Sequence, residues 1–485
     1  MLILEKFLTK YHSIAKPAKA SLWFVICYII QRGIQYMSMP IYTRLMSVEE
    51  YGVYSVFLSW FNVICVFTSL NIYSGVFSKA MIKYESNRKE YISSIQFLTT
   101  ILTLLFGFFI LIFYKKIIEV TGFSSSLLLM MIIHLLMFPS LQYWSQEQRF
   151  KYEYKKLVLV TLINSVVGLI LGILMVSISI NKSESLIFST VLVQAVICTV
   201  IYASILLKGQ CFYRREYWVW SVRMALSLLP HYLSEILLGH IDRLMINHMC
   251  GSAQAGIYNI VYQISMAMTI IRTGINGAFI PWLYHALNVH RYSAIKKVTK
   301  LLTVLMGMIT FFIMLVGPEL LKMAAPNSYY EAVIDMPAIM IGCFFIFVYV
   351  LFLNIEIYYE ENGYISVISV TSAILNIILN VVFIPKLGYL AAGYTTMLSY
   401  LVMAILHYMF LKSLTKKYKE ISLIFDVKFI MILSIFLIVC GAFSLFLYNH
   451  MFLRYLILLI MIGIFVFKRN IFFEMIEEIR GINKI

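Results

Sequence analysis

Apolar residues run through this chain in long stretches that are separated by short polar connections. Each stretch has about the 20 residues that an α-helix needs to cross a bilayer. Fourteen such stretches are predicted, at residues 21–39, 53–77, 94–114, 124–146, 157–180, 186–207, 222–247, 254–276, 299–321, 335–357, 363–384, 388–411, 428–447 and 451–467. No cleavage site of small residues follows the first stretch, so we expect it to stay in the fold. The pattern predicts an all-α polytopic membrane protein of about 14 transmembrane helices.

Composition supports this prediction. Of the 485 residues, 61% are hydrophobic and 13% are charged, whereas soluble proteins carry about 25% charged residues. A formal net charge of +16 would suggest a nucleic-acid partner for a soluble protein. In a membrane protein the placement of the charge matters more, and we predict no nucleic-acid partner.

The basic residues are distributed unevenly between the two sides of the predicted membrane. The two termini and every second connection together hold 28 Lys and Arg residues, and the opposite side holds 7. Cytoplasmic loops of membrane proteins concentrate Lys and Arg. We therefore expect both termini to be cytoplasmic, which also agrees with an even number of spans.

Candidate catalytic and metal-binding motifs are missing from the sequence. The seven cysteines show no metal-ligand spacing, and most fall within predicted spans, where cysteine behaves as a small apolar residue. We also find no phosphate-binding loop or nucleophile elbow. We expect no disulfide, metal or cofactor, and we do not expect an enzyme.

An internal repeat relates the two halves of the chain. The segment SVEEYGVYSVFLSWFNV from Ser47 resembles GSAQAGIYNIVYQISMA from Gly251, at an offset of 204 residues. Six predicted spans separate the copies, so both copies face the same way, as in transporters built from parallel repeats. We expect two parallel, pseudo-symmetric six-helix bundles, residues 1–220 and 221–412. Residues 413–485 add two helices and a tail.

Each copy of the repeat carries a polar stripe with helical spacing. The stripes are Ser55, Ser59, Asn62 and Ser69 in the second span and Asn259, Gln263, Met266 and Thr273 in the eighth. One interpretation is that these side chains bond packed helices together. The other is that they line a wet cavity between the two halves, where a substrate would bind near the midplane.

The seventh span contains EILLGHIDRLMINHMCG, with Glu235, Asp242 and Arg243 among apolar residues. A charge at the centre of a membrane helix costs about 2.5–3.5 kcal/mol on insertion scales. These groups could form a buried ion pair that joins the first and seventh spans, because Arg32 lies in the first span. Alternatively, the arginines face an anionic substrate while the carboxylates handle a coupling ion, a proton or sodium.

Two further polar features lie in the second half. Ser372, Asn376 and Asn380 form a seam in the eleventh span, for which helix bonding and cavity lining are both open. Glu356, near the predicted cytoplasmic end of the tenth span, we interpret as an interfacial residue. The candidate residues of the translocation cavity are Arg32, Ser59, Asn62, Glu235, Asp242, Arg243, Asn259, Gln263 and Asn376.

Three segments carry a family resemblance. MPIYTRLMSVEEYGVYSVF, GHIDRLMINHMCGSAQAGIYNIVYQIS and LNIILNVVFIPKLGYLAAGYTTMLSYL are similar to the corresponding helices of polysaccharide-repeat-unit flippases (O-antigen translocases). These flippases belong to the multidrug/oligosaccharidyl-lipid/polysaccharide exporter superfamily. The resemblance extends over the whole chain.

The resemblance implies a multi-pass protein of the bacterial inner membrane. It implies translocation of undecaprenyl-pyrophosphate-linked oligosaccharides by alternating access, for O-antigen, capsule or another surface polysaccharide. Membrane lipids, a polysaccharide polymerase and a chain-length regulator would then be its partners. A multidrug exporter of the same superfamily and, as an enzyme, a membrane glycan polymerase are the alternatives. Arg32 and Arg243 favour an anionic substrate over cationic drugs, and no predicted loop is long enough for a polymerase.

Overall fold

The computed structural model describes residues 16–361 and 363–481, and this part of the chain is helical almost throughout, without strands. The first helices are α1 (Lys16–Leu45), α2 (Val48–Ser69), α3 (Gly75–Lys83), α4 (Arg88–Ile112), α5 (Tyr114–Thr121), α6 (Ser125–Phe150), α7 (Tyr154–Ile178), α8 (Lys182–Gly209) and α9 (Arg215–Cys250). The remaining helices are α10 (Ser252–Met266), α11 (Met268–Asn288), α12 (Tyr292–Ala324), α13 (Met336–Tyr358), α14 (Ile365–Leu387), α15 (Ala391–Leu414), α16 (Val427–Leu447), α17 (Met451–Phe467) and α18 (Arg469–Gly481). A 3-10 helix, Asn327–Asp335, precedes α13.

Every predicted span falls on one of these helices or on two consecutive ones. Within the described ranges, ten helices are long and apolar enough to cross a membrane, and the bent pair α17–α18 would make eleven. The other three predicted spans fall on α1, on α9 and on the broken pair α10–α11. α1 and α9 carry ionisable residues such as Arg32, Asp242 and Arg243 within their apolar runs, and α10 has only 15 residues. The all-α membrane fold is confirmed.

The start of α2 illustrates how local sequence sets the helix bounds. Ser47 caps the helix: its hydroxyl accepts from the backbone N–H of Glu50, and the Glu50 carboxylate accepts from the N–H of Ser47. Such a capping box satisfies two backbone donors that a helix start leaves unpaired. At the other end, Leu70 adopts a left-handed conformation with φ 49° and ends the helix. The second predicted span therefore continues in a separate helix, α3.

The chain forms two compact units, Met1–Ile236 and Leu237–Ile485, and the division falls inside α9. In the first unit, α8 packs against α2, α4, α6 and α7. In the second unit, α13 packs against α10, α12, α15 and α16. Because α13 is apolar on all sides, it suits this central position. The three-part division expected from the repeat stays a prediction.

Candidate functional site

Asp242 is the centre of a buried polar cluster in the second unit. Its side chain projects from α9, and the residue is only 2% exposed. The Oδ2 oxygen accepts hydrogen bonds from the hydroxyls of Tyr258 (2.7 Å) and Thr396 (2.6 Å). Asn380 donates from Nδ2 to Oδ1 at 2.7 Å. A carboxylate buried in this way is cut off from bulk water, so its charge depends on these donors or on a bound cation.

Helices α14 and α15 hold the donors in a continuous network. Asn376 and Asn380 lie one turn apart on α14, and Nδ2 of Asn380 is 3.3 Å from Oδ1 of Asn376. Asn376 donates to the hydroxyl of Thr396 at 3.1 Å, while Thr395 donates to Oδ1 of Asn380. All four residues are buried. The predicted seam of α14 thus contacts α15 and the acid of α9, and it places several oxygen atoms around one carboxylate.

Arg243 follows Asp242 in the sequence but has different contacts. It is 4% exposed, and its Nη2 donates to the carbonyl oxygen of Gly239 at 2.5 Å. Nη1 lies 3.5 Å from Nδ1 of His240, and the guanidinium carbon lies 4.4 Å from the ring centroid of Tyr262. Nε has no hydrogen-bond partner among the described residues. In that part of the chain Arg243 forms no ion pair, so it is a buried cation with spare donor capacity.

The predicted charged residues of the first unit lie in more open surroundings. Arg32 on α1 is half-buried, donates to Oε1 of Gln35 at 2.9 Å and lies 5.4 Å from the ring centroid of Tyr28. Glu235, on the part of α9 that belongs to this unit, is exposed. Among the described ion pairs of the first unit, none joins Arg32 to Glu235. The predicted ion pair is therefore not formed between these two residues.

The polar stripe of α2 bonds mainly to its own backbone. Ser59 is fully buried and donates to the carbonyl of Ser55 at 2.9 Å. Asn62 is half-buried and donates to the carbonyl of Leu58 at 2.7 Å. Both bonds stay within one helix, and the choice between helix bonding and cavity lining stays open.

The second stripe is divided between two helices. Asn259 is 4% exposed and Gln263, one turn further along α10, is half-buried. The stripe then breaks, because α10 ends at Met266 and Thr273 lies on α11. The repeat is therefore less regular in structure than the fixed sequence offset predicts.

Sequence reasoning does not identify three residues of the Asp242 cluster as site residues. Tyr258 is part of the repeated Ala-Gly-Ile-Tyr motif, and Thr395 and Thr396 belong to a run of mostly small residues at the start of α15. Asn380 belonged to the seam, but nothing in the sequence connected it with α9. The spacing of polar residues along one helix predicts a polar face, but it does not identify the partner.

Asp335 is a second buried acid in this unit. It is 0% exposed, and neither carboxylate oxygen has a hydrogen-bond partner among the described residues. The acid interacts electrostatically with Asp242. Gly393 makes room for it, because a Cβ atom at that position would lie 2.9 Å from Cγ of Asp335. An acid preceding an apolar run, in DMPAIMIG, was the only sequence signal.

The interfacial interpretation of Glu356 is wrong. Glu356 on α13 is 0% exposed, and both carboxylate oxygens lie 3.0 Å from Nδ1 of His407 on α15. The ring of Tyr349 stacks on that imidazole, with 5.5 Å between centroids. The partner lies 51 residues away in the sequence, so the local pattern at the end of α13 could not predict burial.

Residues 18–287 match the sequence profile of a family described as Polysaccharide biosynthesis protein. The chain belongs to this family. It is also 28% identical over 153 residues to protein 1 of the Lsg locus of Haemophilus influenzae, a match that covers 31% of this chain and 38% of that relative. The matched part of the chain thus spans well under half the length of that curated relative.

Solved structures share the fold of this family member. A structure of the lipid II flippase MurJ in an inward closed conformation aligns over 93% of this chain and 100% of its own, with a TM-score of 0.68 and 11% identity. An inward-facing MATE family multidrug resistance transporter aligns over 81% of this chain and 95% of its own, with a TM-score of 0.58 and 14% identity. At such identities the likeness concerns the fold alone.

Proposed function

We propose that this protein translocates undecaprenyl-pyrophosphate-linked oligosaccharide repeat units across the bacterial inner membrane by alternating access. The family supports a role in polysaccharide biosynthesis, and the fold is shared with a lipid II flippase. The product would serve a surface polysaccharide such as O-antigen or capsule. A polysaccharide polymerase and a chain-length regulator would act on the same pathway as partners, and the protein itself carries out no chemical step.

The observation that carries this proposal is the state of Arg243. A charge in the membrane interior is costly unless it has a partner or a task. Arg243 is buried, forms no ion pair in the described part of the chain and keeps Nε free of hydrogen bonds. Arginine binds phosphate through a planar set of donors. A pyrophosphate-linked lipid would supply the missing anion, and the polar residues of the two stripes would contact its glycan.

The Asp242 cluster is the proposed site of the coupling ion. Asp242 interacts with one amide and two hydroxyl groups, and carboxylate and carbonyl oxygens are the ligands that hard cations prefer. Sodium or a proton bound here would neutralise the buried carboxylate. Glu235 is exposed, so it would exchange the coupling ion with water rather than hold it at the binding site.

The test compares Arg243→Ala with Arg243→Lys in cells whose surface polysaccharide depends on this protein. Arg243→Ala should abolish surface glycan at normal membrane abundance, and Arg243→Lys should retain part of the export because it keeps the charge. Unchanged export in Arg243→Ala would contradict the proposal. Drug susceptibility is measured in the same strains. If the protein were a multidrug exporter, the variants would change drug resistance and leave glycan export unchanged.

The proposed topology places both termini in the cytoplasm. Reporter domains fused after Lys89, Lys156 and Lys419 should report the cytoplasm, and fusions after Lys116 and Lys386 should report the periplasm. The uneven distribution of basic residues supports this orientation. Two adjacent connections on the same side would contradict the arrangement.

A further inference from the structure

Four helices of the first unit enclose a cleft of about 270 Å³ at the ends that the basic residues assign to the cytoplasm. Its charged lining consists of Lys89, Lys151, Lys156, Lys208, Glu147 and Glu153. These residues come from α4, α6, α7 and α8 and from the connection between α6 and α7. The cleft thus gathers four cations and two anions.

The two glutamates are already paired within the cleft. Glu147 contacts the ammonium group of Lys151, and Glu153 accepts a hydrogen bond from Lys156 at 2.9 Å. That bond lowers the pKa of Glu153, so its carboxylate is ionised at neutral pH. The glutamates therefore neutralise two of the four lysines.

Lys89 and Lys208 are left without an anionic partner. Neither forms an ion pair with any described residue. Their helices are held close together: a Cβ atom at Gly209 would lie 2.4 Å from the carbonyl oxygen of Lys89. Both side chains are exposed at the cleft, so their ammonium groups are accessible to an anion from outside the chain.

The rest of the cleft wall is mixed: it contains the polar side chains of Gln148 and Ser204 as well as apolar ones. Trp144, Ile92 and Ile205 line it beside the lysines, and tryptophan is typical of the interface between the acyl region and water. A ligand of matching chemistry has an anionic head and an apolar body. The small volume excludes a folded macromolecule from the interior of the cleft.

We propose that this cleft binds the phosphate group of an anionic membrane lipid, held by Lys89 and Lys208. Lysine binds phosphate as a point charge, and basic pockets between membrane helices on the cytoplasmic side bind lipid headgroups. The site lies within the first unit and does not involve the Arg243 site, while its cytoplasmic position rests on the proposed topology.

The experiment measures the binding of phosphatidylglycerol to the purified full-length protein by native mass spectrometry, with phosphatidylcholine as the neutral reference lipid. The test variant is Lys89→Gln/Lys208→Gln. The matched control is Lys79→Gln/Lys155→Gln, which removes two exposed lysines of the same unit outside the cleft lining. A third variant, Lys89→Arg/Lys208→Arg, keeps the charge. Unfolding temperatures of all variants verify that they are folded.

We expect the cleft variant to lose roughly 30-fold in phosphatidylglycerol affinity, since each lysine near a membrane surface contributes about a fivefold factor. The control and the arginine variant should bind like the wild type. Inorganic phosphate alone could also raise the unfolding temperature of the wild type and not that of the cleft variant. That result would support the same site with a free anion as its ligand. Equal loss in the cleft and control variants, or equal binding of the two lipids, would overturn the proposal.

Discussion

Asp242 and Arg243 are adjacent on α9, yet their charged groups do not pair. The carboxylate accepts hydrogen bonds from α10, α14 and α15, whereas the guanidinium donates back to the carbonyl of Gly239. The carboxylate is therefore satisfied by donors from other helices, whereas the guanidinium keeps unused donor capacity. Under the proposed function, this separation lets Arg243 bind an anion while Asp242 binds a cation.

The first prediction concerns removal of both charges. Arg243→Ala should leave protein abundance close to normal. Arg243 forms no ion pair with a described residue, so its removal does not deprive a buried carboxylate of its partner. The double variant Arg243→Ala/Asp242→Asn should not recover export, which is measured as surface glycan beside membrane abundance. Recovery of export in the double variant would show that the two residues form a functional ion pair instead.

The second prediction concerns the donors to Asp242. Thr396→Val removes a hydroxyl that donates to the carboxylate at 2.6 Å, and loss of a hydrogen bond to a charged group costs about 1.5–3 kcal/mol. Ser399→Ala is the matched control: it removes another buried hydroxyl of α15, which donates only to the carbonyl of Thr395. Unfolding temperatures are measured with and without sodium. Thr396→Val should lower the unfolding temperature more than Ser399→Ala does, and it should change the effect of sodium on that temperature. Equal effects would contradict a special role of the cluster.

The third prediction tests the buried contact between Glu356 and His407. Removing one partner of a buried pair costs about 3–5 kcal/mol because the other remains without compensation. Glu356→Ala should therefore reduce the amount of folded protein strongly, while Glu356→Gln, which keeps a hydrogen-bond acceptor, should reduce it less. Glu360→Ala, at an exposed position, serves as the control. A stable, abundant Glu356→Ala protein would refute the structural role.

The fourth prediction concerns pH. Glu361 accepts a hydrogen bond from Lys417 at 2.6 Å, which lowers the pKa of the carboxyl and raises the pKa of the ammonium group. Because the pKa of Glu361 is lower in the folded state, its contribution to stability is complete above its ordinary value of about 4.3 and is lost as the pH falls through the lowered value.

Glu361→Gln should accordingly lower the unfolding temperature slightly at pH 7, and this difference should shrink as the pH falls through the lowered pKa of Glu361. Glu360→Gln, which removes a neighbouring exposed carboxyl outside this contact, is the matched control for the loss of one negative charge. A difference that grows on acidification would have the wrong sign for this contact.

The fifth prediction concerns the contact of α4 with α8. A Cβ atom at Gly209 would lie 2.3 Å from Cβ of Ser93, so Gly209→Ala should destabilise the first unit by about 1–3 kcal/mol through overpacking. Gly168→Ala on α7, where no heavy atom lies within 4 Å of the added carbon, is the control. Thermal unfolding of the two variants in one detergent is the measurement, and equal midpoints would contradict the close approach.

The helices were predictable because the bilayer acts on each segment separately. A stretch such as residues 154–178 must satisfy its backbone internally and expose apolar side chains, whatever its neighbours are. The site was less predictable, because it depends on distant pairs. Asn380 and Thr396 lie 138 and 154 residues from Asp242, and the periodicity of one helix does not contain that information.

The burial of Glu356 and Asp335 was hidden for the same reason. Each acid lies at one end of the apolar helix α13, where an interfacial position is the ordinary outcome for a charged residue. His407 on α15 and the missing side chain of Gly393 create the buried environments. Tertiary packing thus overrides the local preference at both ends of one helix.

The contact between Gly393 and Asp335 also limits how this family can diverge. A methyl group at position 393 would collide with the carboxyl of Asp335, so the two positions cannot change independently. Among homologous chains that share α13 and α15, a larger residue at the position of Gly393 should therefore coincide with a smaller or missing acid at the position of Asp335. A side chain at this position would therefore mark a lineage in which the buried acid has been lost.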